Sequence, residues 1–172
     1  LIYNKKLSVC PITTHIPISK VNKNLNKKKI IKKIIVINSF YKKIINKKPQ
    51  FAILGLNPHS FSGKKQSEEK KIIIPAIKKV KKMKINVIGP ISPDTAFVFN
   101  KKYRPDVIVG MYHDQVLSPF KTIFKYKAIN ITLGLPYIRI SPDHGIGENI
   151  TGKNTASPSS LIEAIKFFKF IK

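Results

Sequence analysis

Apolar positions along the 172-residue chain come in two kinds of segment. The first kind is a short continuous run: "LSVCPI" at 7–12, "FAILGL" at 51–56, "INVIGP" at 85–90, "DVIVGM" at 106–111 and "INITLGL" at 129–135. Each run predicts a strand buried on both faces. The second kind has helical spacing. Ile30, Ile34, Ile37, Tyr41 and Ile44 recur along one stripe, which predicts an amphipathic helix over roughly 26–46 with lysines on its wet face. A further helix is predicted from near residue 68, where Glu68 and Glu69 suit its positive end and Ile73, Ile77 and Val80 form its inner face. "ASPSSLIEAIKFFKF" at 156–170 predicts a closing helix, with a serine-proline first turn and Leu161, Ile165 and Phe168 as its apolar stripe.

Continuously apolar strands alternating with helices predict an α/β fold, layered αβα around a largely parallel sheet, over residues 1–172. Open sheets of this kind bind ligands beyond the carboxyl ends of their strands. Polar clusters fall there: "NPH" after 51–56, "SPDT" after 85–90 and "YHDQ" after 106–111. No internal repeat is visible. The lysine and asparagine tract at 20–29 is too short for a separate disordered domain.

Composition narrows the function classes. The 42% hydrophobic content allows a sizeable core. No apolar run reaches the roughly 18 residues of a membrane span, and no signal-peptide pattern opens the chain. A first residue of leucine suggests a removed upstream segment or a piece of a longer protein. Cys10 is the single cysteine, which excludes an internal disulfide or a cysteine metal cluster and points to a reducing, cytoplasmic setting. The net charge of +25 is almost all lysine, with Arg104 and Arg139 the two arginines. Lysine, isoleucine and asparagine abound together and share AT-rich codons. The charge therefore reads as genome composition, attracting anions non-specifically, with no membrane and no specific nucleic-acid partner expected. A lysine-rich polyanion-binding protein is the alternative from another class, and steep weakening by salt would mark it.

His15, His59, His113 and His144 all lie in polar loops, three of them after predicted strands. Imidazoles in equivalent loops suit zinc and neighbouring divalent metals, and three histidines with an open position is a known catalytic set. No HxH or HExxH pattern stands here, so spacing leaves single surface or core histidines as an open alternative.

"TTHIPIS" at 13–19, "GLNPH" at 55–59, "GPISPDT" at 89–95, "MYHDQ" at 111–115, "NITLGLPYIR" at 130–139, "DHG" at 143–145 and "ASPSSLIEAI" at 156–165 occur in one order. Together they closely resemble the C-terminal half of the 4-hydroxythreonine-4-phosphate dehydrogenase family of pyridoxal phosphate biosynthesis, across essentially the whole chain. The resemblance implies the isocitrate and isopropylmalate dehydrogenase fold. It implies a divalent metal (zinc, magnesium or cobalt) on His15, His59 and His113, in a site shared across a homodimer. It implies that Lys121, Asn130 and Arg139 contact a phosphorylated amino-acid substrate, for which cationic and amide donors are suited. Asp94 and Asp114 correspond to acids near the active site, with helix capping the structural alternative for Asp94. The cofactor implied is NAD or NADP. No GxGxxG is present, so Asp143, His144 and Gly145 are its candidate contacts. The implied reaction oxidises 4-phosphooxy-L-threonine to 2-amino-3-oxo-4-phosphooxybutanoate, which decarboxylates to 3-amino-2-oxopropyl phosphate.

The chain departs from the family at three places. "SFSGKKQ" follows "NPH", with Ser62 where an acid is expected; Val116 replaces a glycine; and "IGENITGKN" follows "DHG". The family is also about twice as long, with further substrate contacts in its N-terminal half. An inactive, truncated remnant that keeps the fold is therefore the other alternative.

Overall fold

The computed structural model describes residues 1–61, 66–99, 103–145 and 147–171. Among these, seven strands form one sheet: β1 (Ile2–Tyr3), β2 (Ser8–Pro11), β3 (Phe51–Leu54), β4 (Val87–Ile91), β5 (Val107–Gly110), β6 (Ile129–Thr132) and β7 (Arg139–Pro142). The spatial order is β4-β3-β5-β2-β1-β6-β7. β4, β3, β5 and β2 are mutually parallel. β1 is antiparallel to β2 and β6, and β7 is antiparallel to β6. The sheet is thus largely parallel on one side, as the apolar runs predict, with a mixed flank on the other.

The helices are α1 (Val21–Asn24), α2 (Lys27–Phe40), α3 (Ile74–Lys82), α4 (His113–Phe124) and α5 (Ser159–Phe170). Asn26 caps α2 by accepting the Lys29 N–H at 2.9 Å. α2 continues through a π-helical turn, Tyr41–Ile45, and stops where Asn46 turns left-handed at φ 56°. A second π-helical turn, Glu69–Ile73, leads into α3.

Strand alternation divides the core. Phe51, Ile53, Val107 and Val109 pack with Ile30, Ile34, Ile37, Ile73 and Val80 from the α2 and α3 layer. Ala52, Leu54 and Ile108 pack on the other face with Val116, Leu117 and Phe120 of α4. Each fully buried large side chain contributes roughly 1.5–3 kcal/mol, so both layers hold the parallel strands firmly.

The structure corrects the reading in three places. β1 is only two residues long, β7 ("RISP") has no continuous apolar run, and α4 is hidden by the polar "HDQ" of its first turn and by Pro119. The run 129–135 is a strand only to Thr132, because Gly134 turns the chain at φ +86°. Most clearly, the Leu161, Ile165 and Phe168 stripe faces outward, at 50%, 52% and 44% exposure. α5 instead buries Ser160, Ala164 and Phe167. Two small residues let the helix approach the sheet closely, and Phe167 joins Tyr3 edge-on, with ring centroids 5.1 Å apart.

Candidate active site

Parallel β2, β5, β3 and β4 open their carboxyl ends on one edge of the sheet. The chain leaves them into Thr13–His15, Tyr112–Asp114, Asn57–His59 and Ser92–Asp94. Four of the predicted side chains, together with Asp114, are therefore collected at one edge by topology alone.

Thr13 brings two of the loops together. Its N–H and hydroxyl both donate to the Met111 carbonyl, at 3.1 and 2.8 Å. His15 then lies beside His113, with ring centroids 5.7 Å apart. The His113 Nδ1 is 2.6 Å from Asp114 Oδ1. An ionised carboxylate only accepts, so Nδ1 is the donor in this bond. Asp114 also suits the first turn of α4, where the helix dipole favours an acid.

His59 stands apart from this pair. Its Nδ1 is 3.9 Å from Asp94 Oδ2, and both side chains are well exposed, so the interaction is weak. Asp94 is held below the usual carboxylate range, chiefly by the Ser92 hydroxyl donating at 2.5 Å and in part by His59. Among the described residues, no three His, Cys, Asp or Glu side chains converge on a point able to hold a metal ion. His15 and His113 are brought together in one copy; His59 is not brought to them. A cavity of about 320 Å³ opens between His59, Ser60, Glu69, Lys70 and Ser92. A larger one, about 660 Å³, lies at the opposite edge near Lys5, Arg104, Phe124 and Lys166, away from every histidine.

The backbone at the site is strained. His15, His59 and Ser60 have φ of 53°, 53° and 52°, a left-handed conformation costly for residues other than glycine. Such strain costs roughly 1–3 kcal/mol per residue and concentrates at functional loops. At His59 the strain is held by Glu69, which is 1% exposed. Its Oε1 accepts the N–H groups of Leu56 and Asn57 at 2.9 and 2.8 Å, and Asn57 Nδ2 bonds both carboxylate oxygens. Burial alone would raise the Glu69 carboxyl, but the Asn57 donors outweigh it and hold the group below its ordinary value. Gln115 is the second support. Its Oε1 accepts the Met111 N–H at 2.6 Å and its Nε2 donates to the Gly55 carbonyl at 2.8 Å, stitching the β3 and β5 ends together. Neither role shows in the spacing, since both depend on bonds across strands. The altered turn after His59 falls partly on 62–65, outside the described residues.

The expected phosphate contacts lie on α4, β6 and β7. Lys121 Nζ lies 3.3 Å from the Asp143 carbonyl and 3.5 Å from its Oδ1. Arg139 pairs with Thr132 across β6 and β7 and donates from Nη1 to its hydroxyl at 3.3 Å. Asn130, two residues before Thr132, shares that face. Lys121 follows His113 on α4 by eight residues, about 12 Å along the axis and about 80° around it. Asp143 is buried and turned toward Lys121, whereas His144 and Gly145 are exposed, the His144 Nδ1 lying 3.0 Å from the Gly145 carbonyl.

Titratable side chains gather where the parallel strands of this α/β fold end, and the proteins it resembles are named dehydrogenases. A 4-hydroxythreonine-4-phosphate dehydrogenase of Sulfurihydrogenibium sp. is 51% identical over 170 residues, 98% of this chain and 52% of the relative. The enzyme of that name from Aquifex aeolicus is 41% identical over the same shares. A crystal structure of 4-hydroxythreonine-4-phosphate dehydrogenase from Klebsiella pneumoniae superposes with a TM-score of 0.84 at 35% identity, over 99% of this chain and 53% of that one. The family model described as pyridoxal phosphate biosynthetic protein PdxA matches residues 1–168, and the chain belongs to this family. It spans about half the length of the curated relatives it matches.

Proposed function

We propose that the chain provides the phosphate-binding and histidine-bearing share of an NAD-dependent dehydrogenase acting on 4-phosphooxy-L-threonine. The observation that carries this reading is the His15–His113 pair, with Asp114 orienting His113, on the same helix as Lys121. Lys121, Asn130 and Arg139 would take the phosphate, Arg139 through its planar fork. Asp114 fixes the orientation of the His113 ring, and the exposed carboxylate of Asp94 stands at the same sheet edge.

A single copy does not meet the needs of a three-histidine metal centre, because His59 is separate from the pair. The shared-site reading requires His59 from a second copy in a homodimer. The nicotinamide cofactor supplies the hydride acceptor when bound. His144 and Gly145 are free to contact it, while Asp143 is engaged by Lys121. A cytoplasmic setting accords with this role, and no helix among the described residues is long and apolar enough to cross a membrane.

The test has two readouts: calorimetric binding of 4-phosphooxy-L-threonine, and NAD reduction with zinc, magnesium or cobalt present. The expected result is substrate binding lost in Arg139→Ala, without turnover by this half-length chain. Metal-dependent turnover abolished in His113→Ala would assign the whole reaction to it. Absence of substrate binding would overturn the reading.

A further inference from the structure

Asp143 is 8% exposed, yet its Oδ2 has no hydrogen-bond partner among the described residues. Its N–H donates to the Ser160 hydroxyl at 2.6 Å, and that hydroxyl donates to the Ala128 carbonyl at 2.5 Å. The backbone of Asp143 is therefore fixed without help from its carboxylate. That carboxylate lies 3.5 Å from Lys121 Nζ and also acts electrostatically on the Leu1 amino group. A buried charge is costly unless it is paired. Asparagine would fill this space and still accept from the lysine. The negative charge thus acts on Lys121 and the Leu1 amino group rather than on its own backbone.

We propose that Asp143 is a positioning residue that holds Lys121 ready for the substrate phosphate; this rests on the reading of Lys121 as a phosphate contact. An ammonium has three donors. The carbonyl of Asp143 takes one, its carboxylate pairs with the ammonium as an ion, and donors remain available to a phosphate oxygen. A lysine already held in place is not ordered anew when the ligand arrives, which preserves affinity. The location fits the task. The Asp143–Ser160–Ala128 chain joins the end of β7, the first turn of α5 and the start of β6, while Lys121 ties in α4. These elements carry Arg139, Asn130 and Lys121: the backbone of Asp143 ties the β6, β7 and α5 ends together, and its carbonyl and carboxylate reach Lys121.

The experiment is a double-mutant cycle with 4-phosphooxy-L-threonine as the calorimetric probe, alongside side-chain ammonium NMR of Lys121. Asp143→Asn should weaken binding about tenfold in the parent chain and by under about twofold in Lys121→Met. The Lys121 ammonium resonance should move in Asp143→Asn while the midpoint of thermal unfolding stays close to the parent value. Equal losses in both backgrounds, or an unmoved Lys121 resonance, would overturn the proposal. If the parent chain binds no substrate, the functional reading fails and the resonance alone decides whether Asp143 holds Lys121. Should Asp143→Asn not fold, the Asp143 carboxyl ¹³C resonance reports the same tie when compared between the parent and Lys121→Met.

Discussion

Removing the Glu69 carboxylate should unlatch the loop that carries His59. In Glu69→Ala the N–H groups of Leu56 and Asn57 lose their acceptor, and Asn57 Nδ2 keeps only Glu68 Oε2, at 2.9 Å. Each stranded, partly buried donor costs about 1–3 kcal/mol. Together the two backbone groups imply a loss of about 2–6 kcal/mol, a large part of a typical domain's stability. Glu69→Gln keeps Oε1 for the backbone but turns an amide toward Asn57, so about 1–2 kcal/mol is expected. The pH dependence has a definite sign. The folded carboxyl lies below its ordinary value of 4.5, so its contribution is full above that pH and is lost as pH falls through the depressed folded value. The gap between parent and Glu69→Gln should therefore narrow on acidification. Urea unfolding at neutral pH and at successively lower pH measures it. A Glu69→Ala chain within about 0.5 kcal/mol of the parent at neutral pH would refute the account.

Two other outcomes follow from packing. A Cβ on Gly110 would lie 2.4 Å from Val116 Cγ1 and 2.9 Å from Gln115 Oε1, so Gly110→Ala should cost about 1–3 kcal/mol in urea unfolding, with Val116→Ala recovering part of it. Changing Leu161, Ile165 and Phe168 together to serine should leave unfolding nearly unchanged but reduce self-association in concentration-dependent light scattering, because these side chains are about half exposed.

Parallel strands and the amphipathic α2 are legible in the chain because both follow from which residues avoid water. Five apolar runs mark β2 to β6, and the 3.6-residue stripe of Ile30, Ile34 and Ile37 marks the buried face of α2. The candidate site residues are legible as chemical types standing after strands, and motif order attaches them to a family. Periodicity cannot say which neighbour a helix meets. α5 shows this: its apolar stripe predicts one buried face, yet the sheet accepts the adjacent one, where Ser160 and Ala164 permit close approach. Nor does spacing reveal that Glu69 grips the loop at Asn57 or that Gln115 spans Gly55 and Met111, since those bonds depend on how the β3 and β5 ends and the turn before α3 come together in space. Tertiary structure decided which histidines meet. Thr13 bonded to Met111 draws His15 to His113, while a strained loop leaves His59 beside Asp94. Local sequence sets the chemistry each loop can offer; long-range hydrogen bonds and strand register set how the loops stand to one another.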